Sequence, residues 1–457
     1  MRFLPTSGPC MSLRVLTGIK PTGVPHLGNY VGAIRPSVAA SRAHGVESFF
    51  FLADYHALIS TQDPLRVQRS TLEIAASWLA CGLDPERVAF YRQSDVPETT
   101  ELTWLLSCVA GKGLLNRAHA YKAAVDRNRG EGIDDDAGVT AGLYMYPVLM
   151  AADILLFNAH RVPVGRDQVQ HIEMARDFAQ RFTHLYGEHF TLPEAAIEEQ
   201  VATLPGLDGR KMSKSYDNVI PLFATREQLR KVVFSIVTDS RAPGEPKDTE
   251  GSPLFQLYQA FADAGEAEAM RAAFADGIAW GEAKERLFER MDVELAPLRE
   301  RYQALIADPA GIERVLRAGG ERLRDGHARP FLARLRQAVG LRDLGAASDA
   351  GAAADDAGDA RPAPPVFKQY READGRFHFK LVDGDLLLLQ GGGFASPREC
   401  GRVIAALKAG AASDAAAPRI DGAGRVQVDG DDVGSLGEGV DAAALLQALA
   451  RFAGDPA

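Results

Sequence analysis

No two cysteines in this sequence stand at C-x-x-C spacing. The four that exist, Cys10, Cys81, Cys108 and Cys400, are scattered over 457 residues. That pattern excludes the usual structural-zinc signature and is a poor basis for a disulfide framework. A reducing, cytoplasmic setting is the expectation. Long apolar runs are also missing: none approaches the roughly 20 residues of a bilayer-spanning helix, so no membrane partner is expected. The N-terminus, MRFLPTSGPC, has one basic residue and no continuous apolar core, unlike a signal peptide. Nor is there an overall basic excess; the net charge is −10. That sum is unevenly spread. Residues 343–457 carry 11 Lys/Arg against 18 Asp/Glu, a net −7, which leaves −3 for the first 342. The main body can therefore carry a local basic face. Arg314, Arg317, Arg322, Arg324, Arg329, Arg334 and Arg336 form one candidate basic face, with a solvated helix face as the alternative.

The length implies two or three domains. Residues 1–11 end at a second methionine and read as an unstructured leader. After them, β-rich runs at 13–19, 47–59, 87–95 and 160–165 alternate with helical patterns such as 67–83. Such alternation predicts an α/β, Rossmann-like domain with a parallel sheet over 12–221. Ligands in these sheets sit beyond the C-terminal strand ends, where Asp54 and His56 fall. From 222 to 343 the period is helical throughout, predicting an all-α second domain. Residues 344–365 contain Ala, Gly, Asp and Pro with no large aliphatic core and read as a flexible linker. A small α+β domain is expected over 366–457, with a hairpin around the DG at 383–384 and a helix over 396–410.

Two stretches carry chemistry. TGIKPTGVPHLGNYVGAI (17–34) follows a strand and opens a helix. Gly18, Gly23 and Gly28 allow close approach of the backbone to a ligand, and His26 and Asn29 fall near a helix N-terminus that favours phosphate. LDGRKMSKSYDN (207–218) sets Lys211 and Lys214 around Ser213 in a loop with Gly206 and Gly209 upstream. Two such lysines suit a polyphosphate leaving group. A third stretch, YPVLMAADILLF (146–157), is apolar except for Asp153. With Pro147 taken as a first-turn residue, Tyr146, Met150, Asp153 and Phe157 share one helical face. A buried carboxylate there needs a donor. No metal-ligand cluster is read from the sequence.

PHLGN and KMSKS, in this order around a parallel sheet, resemble the two signature elements of class I aminoacyl-tRNA synthetases. With KPTG, STQDP (60–64), AGLYMYPVLMAADILLF (141–157) and VPVGRDQVQHIEMARDFAQRF (162–182), the resemblance narrows to the bacterial tryptophanyl branch over about 12–342. It implies activation of L-tryptophan by ATP and transfer to tRNA(Trp). Mg2+ would accompany ATP with no dedicated protein site. His26, Asn29, Lys211 and Lys214 are the implied catalytic residues. Lys20, Pro21, Thr22, Gly28, Asn29, Lys122, Gly165, Arg166, Asp167, Lys211, Met212, Ser213, Lys214 and Ser215 are implied at ATP. Asp153 would accept the indole N–H, which is a donor only. Met150 would pack on the ring, and Tyr146 and Gln168 would hold the α-amino group. Lys20 stands where many members have glutamine. The resemblance also implies a homodimer whose helical domain holds tRNA. Competing readings are a tyrosyl enzyme, a non-catalytic paralogue and a small nucleotidyltransferase. Residues 366–453 resemble a small bacterial ββα family of uncharacterised role, read here as an accessory interaction module.

Overall fold

The computed structural model describes residues 12–197, 204–341, 365–372, 374–384, 386–410, 418–428 and 430–452. The expected leader and nearly all of the expected linker lie outside them. The chain divides after residue 342 into two compact units.

In the first unit five parallel strands form one sheet. They are β1 (Leu13–Ile19), β2 (Val46–Leu52), β3 (Ala89–Arg92), β4 (Arg161–Val164) and β5 (Glu194–Ile197), in the order β3-β2-β1-β4-β5. β5 was not foreseen, because its EAAI run lacks both large and β-branched residues apart from Ile197. β2 is buried on both faces, as a strand inside a parallel sheet must be. Phe50 and Leu52 enter one core, and Phe49 and Phe51 the other. Gly18 of β1 leaves room for the Phe51 ring, which a Cβ there would meet at 2.9 Å. Helix Pro64–Ala80 begins where the Asp63 carboxylate accepts the N–H groups of Leu65 and Arg66, and it lays Ile74 and Trp78 on the Phe50 side.

The helices of 222–341 share these same cores. Leu229, Phe255, Leu287 and Leu316 join the Phe50 side, whereas Phe331 and Leu335 join the Phe49 side. Helix Pro309–Leu323 lies directly on β3. It can do so because two glycines face the strand and the turn after it: a Cβ at Gly319 would stand 2.0 Å from the Phe90 carbonyl oxygen, and one at Gly320 2.8 Å from Asp95 Cβ. Gly319→Ala is therefore expected to force the helix off the sheet. The cost should be about 3 kcal/mol, read as a lowered Tm against an exposed control such as Gly281→Ala.

The arginine stripe is largely engaged within this unit. Arg322 donates to the carbonyls of Pro85 and Val88, Arg324 grips Glu98 with two nitrogens, and Arg336 pairs with Glu101. The acidic first turn of helix Glu98–Ser107 is what draws them inward. Arg314 and Arg317 pair with Asp308 and Glu321.

The second unit is a six-stranded antiparallel sheet. Its strands are β6 (Val366–Arg371), β7 (Phe377–Asp383), β8 (Leu386–Phe394), β9 (Arg419–Ile420), β10 (Arg425–Val428) and β11 (Asp431–Leu436), in the order β6-β7-β8-β11-β10-β9. The expected hairpin is the β7–β8 pair, and helices Pro397–Gly410 and Ala442–Ala450 complete the unit. Phe379 and Leu381 of β7, Cys400 and Leu407 of the first helix and Leu445 and Leu449 of the second share its core.

Candidate active site

The strand order of the first sheet reverses between β1 and β4, and that junction opens a crevice at the C-terminal strand ends. A cavity of about 410 Å³ lies there, lined among others by Gly18 near the end of β1 and Lys20 just after it, Thr22 and Gly23 in the following turn, Asn29, Val164 at the end of β4 and Gly165 just after it. Gly23 has φ +84°, which only glycine adopts cheaply. Pro21 is buried beside it. None of the described residues lining the cavity is a carboxylate. Arg166 and Asp167 follow Gly165 in an exposed single turn.

Each of the two signature segments holds the other. Leu27 N–H donates to the Ile220 carbonyl, and Leu222 N–H to Pro25. The Gly28 amide N–H points at Met212 Sδ, 3.3 Å away, with Met212 itself buried. Lys214 Nζ donates to the Thr22 carbonyl at 3.0 Å. The loop is shaped from within by buried Asn218. Its Oδ1 accepts from Ser213 N–H, and its amide donates to Asp208 and to the Lys211 carbonyl. Ser213 Oγ in turn caps the Ser215 N–H. Lys211 is exposed.

His26 and Asn29 cap the same helical turn reciprocally. His26 Nδ1 accepts from the Asn29 backbone N–H, and Asn29 Oδ1 accepts from the His26 N–H. Burial, and then the nearby Lys214 charge, hold the His26 imidazole below its ordinary pKa. It is neutral at pH 7, and because Nδ1 accepts, the proton sits on Nε2.

Asp153 is 3 % exposed. Among the described residues its side-chain partners are a histidine and a glutamine, not an arginine. His56 Nε2 stands 3.0 Å from Oδ2, and the Gln93 amide nitrogen donates to Oδ1 at 2.8 Å and Oδ2 at 2.9 Å. His56 follows β2 and Gln93 follows β3. Ser94 fixes the second of these turns by donating its N–H and its hydroxyl to Asp54. Burial pushes the Asp153 carboxyl above the usual range, against the His56 and Gln93 hydrogen bonds that favour the anion. Gln93 Oε1 is buried with no partner among the described residues. Flipping the amide would set this oxygen against the carboxylate, so the observed orientation is the one an ionised Asp153 selects.

On the same helix Tyr146 and Met150 are half-buried. Tyr146 Oη lies 2.6 Å from Nε2 of His171, a buried residue whose pKa is lowered, chiefly by burial. Gln168 donates to Asp167 at 3.0 Å. Three sequence expectations differ from what the structure shows. Helix Ala141–Leu155 starts from the Thr140 cap, so Pro147 is inside the helix and not in its first turn. Phe157 lies past the helix end, stacks on Phe49 at 5.4 Å and belongs to the core under the sheet. Lys122 is not at the nucleotide cavity; it lines a separate recess with Arg117, His119, Arg129 and Gln170. Sequence reasoning missed Gln93 and His171 altogether and noted His56 only as a polar strand end. The signal that could have found Gln93 is the same one: a polar residue directly after a strand of a parallel sheet.

Comparison with known proteins adds three findings. The family profile of class I tRNA synthetases (W and Y) matches residues 9–296. A tryptophan–tRNA ligase from Xanthomonas axonopodis pv. citri is 70 % identical over 93 % of this chain and 97 % of its own, and one from Pseudomonas aeruginosa is 58 % identical over 96 % and 98 %. The solved tryptophanyl-tRNA synthetase of Campylobacter jejuni, complexed with ADP and tryptophan, aligns with a TM-score of 0.66 at 40 % identity. That alignment covers 72 % of this chain and all of the other.

Proposed function

The chain belongs to the class I tRNA synthetases (W and Y), and on that premise we propose how its residues divide the work. It activates tryptophan with ATP and charges tRNA(Trp) with the product. In the first step the tryptophan carboxylate attacks the α-phosphorus of ATP, the bond to the bridging oxygen breaks, and pyrophosphate leaves. The attacking carboxylate is already ionised, so no general base is needed. Positioning and charge stabilisation must supply the rate.

Lys20, Pro21, Thr22, Gly28 and Asn29 take one side of the nucleotide, and Gly165, Arg166 and Asp167 take its ribose. The His26 Nε2–H donates to phosphate oxygens. Lys211 and Lys214, carried with Met212, Ser213 and Ser215, meet the leaving pyrophosphate, with Lys214 exchanging the Thr22 carbonyl for phosphate. Lys122, which does not line this cavity, is kept as a further ATP contact on the family resemblance alone. Mg2+ would be brought by ATP and would supply charge stabilisation at the phosphates, with no dedicated protein site proposed. Asp153 accepts the indole N–H, Met150 packs on the ring, and Tyr146 and Gln168 hold the α-amino group. The observation that carries this reading is the buried Asp153 carboxylate, gripped on both oxygens yet paired, among the described residues, with no cation of fixed charge. It is tested by charging a tRNA(Trp) transcript with labelled tryptophan; no acid-precipitable product would sink the reading.

One pH dependence follows. Gln93 stabilises the Asp153 anion, so Gln93→Leu should raise the Asp153 pKa further. The acid limb of kcat/KM for tryptophan then moves to higher pH, whereas the profile for ATP does not. Coincident tryptophan profiles for the two proteins would contradict the role given to Gln93.

The helical segment 222–343 is assigned to tRNA binding. A homodimer is supported by apolar side chains left at the surface, Trp104 at 69 % and Leu65 at 76 % exposure. A cytoplasmic setting agrees with free Cys81, Cys108 and Cys400.

A further inference from the structure

We propose that one face of the C-terminal sheet is a phosphate-binding row for the tRNA substrate; this rests on the reading that the chain charges tRNA(Trp). The register builds the row. Lys368 of β6 pairs with Lys380 of β7, Lys380 with Gln390 of β8, Gln390 with Ser435 of β11, and Ser435 with Arg425 of β10. Directly paired residues point to the same face, so these five side chains cross the sheet in one line, spanning roughly 19 Å over four strand spacings. Their chain neighbours Phe379, Leu389 and Val426 point the other way, into the core shared with the two helices. Lys368, Ser435 and Arg425 are exposed, and Lys380 and Gln390 half-buried.

Every member of the row bears a hydrogen-bond donor, and none is acidic. Arg425 is shared with Asp421 at 3.2 Å. Neither Lys368 nor Lys380 has a carboxylate partner among the described residues. Lys380 Nζ instead rests 5.1 Å over the Tyr370 ring, whose hydroxyl accepts from Gln390. Two lysines directly opposite each other on neighbouring strands repel, and this destabilises the sheet unless an anion lies between them. The unit is acidic in total and Asp421 offsets Arg425, but no carboxylate stands in the line itself, so the two lysines make its β6–β7 end locally positive. A strip five strands long fits a chain of phosphates better than a single ion. The polyanion that this enzyme handles is tRNA.

The test uses the full chain and Lys368→Glu. Glutamate opposite Lys380 replaces repulsion by attraction, so the Tm should hold or rise while the strip loses its charge. The expected result is a several-fold higher KM for tRNA(Trp) in aminoacylation and a log–log salt dependence shallower by about 1–2. Tryptophan-dependent ATP–pyrophosphate exchange without tRNA should be unchanged. Lys380→Gln should act in the same direction. An unchanged KM and slope would overturn the proposal, as would a raised KM with an unchanged slope. Failure of the wild-type chain to charge tRNA(Trp) at all would instead remove the functional reading beneath it.

Discussion

Asp153→Ala is expected to lower kcat/KM for tryptophan by on the order of 100-fold, with the KM for ATP unchanged. A hydrogen bond to a charged group contributes about 1.5–3 kcal/mol, and here its acceptor is almost wholly buried. The substitution also strands His56 and Gln93, whose polar groups are then buried without their partner. That second effect lowers stability, so it must be separated from recognition. An analogue with sulfur in place of the indole N–H separates them. Wild type should discriminate strongly against it, whereas Asp153→Ala should treat the two amino acids nearly alike. Retained discrimination would show that another group reads the indole nitrogen.

Lys214→Ala should act on the other half of the reaction. Its ammonium stands between the two signature segments, held on the Thr22 carbonyl and lowered in pKa mainly by burial. Removing one charge-stabilising donor of this kind costs roughly 10²–10³-fold in kcat. The exchange rate should fall by that factor while tryptophan affinity, measured by equilibrium binding, is kept. Lys211→Ala should follow the same pattern. Weaker tryptophan binding with an intact exchange rate at saturation would contradict the leaving-group role.

Local chemistry made part of this site legible. KMSKS and PHLGN are contiguous, and Asp153 stands out in an apolar helix, so each announces itself within a dozen residues. What surrounds Asp153 was not legible. His56 and Gln93 arrive from 97 and 60 residues away, and only the parallel order of β2 and β3 puts them at one carboxylate. The helix face was legible from periodicity for Tyr146 and Asp153, both of which meet His56. The reading failed where a terminus decided: Thr140 starts the helix earlier than Pro147 suggested, and the chain leaves it before Phe157. The arginines of 314–336 show the same limit. Their spacing marks a face, but whether that face meets solvent or the acidic turn at Glu98 depends on packing. Gly319 and Gly320 record that packing in the sequence, since nothing else explains two glycines inside a helix.

The central claim is that one pocket joins a nucleotide cleft to a carboxylate that selects an indole. Amino-acid-dependent ATP–pyrophosphate exchange tests it most directly, run with the full chain, tRNA omitted, and tryptophan or tyrosine as the only amino acid. Exchange that saturates with tryptophan and stays at background with tyrosine is the predicted result. Exchange with tyrosine at a comparable kcat/KM, or none with either, would contradict it.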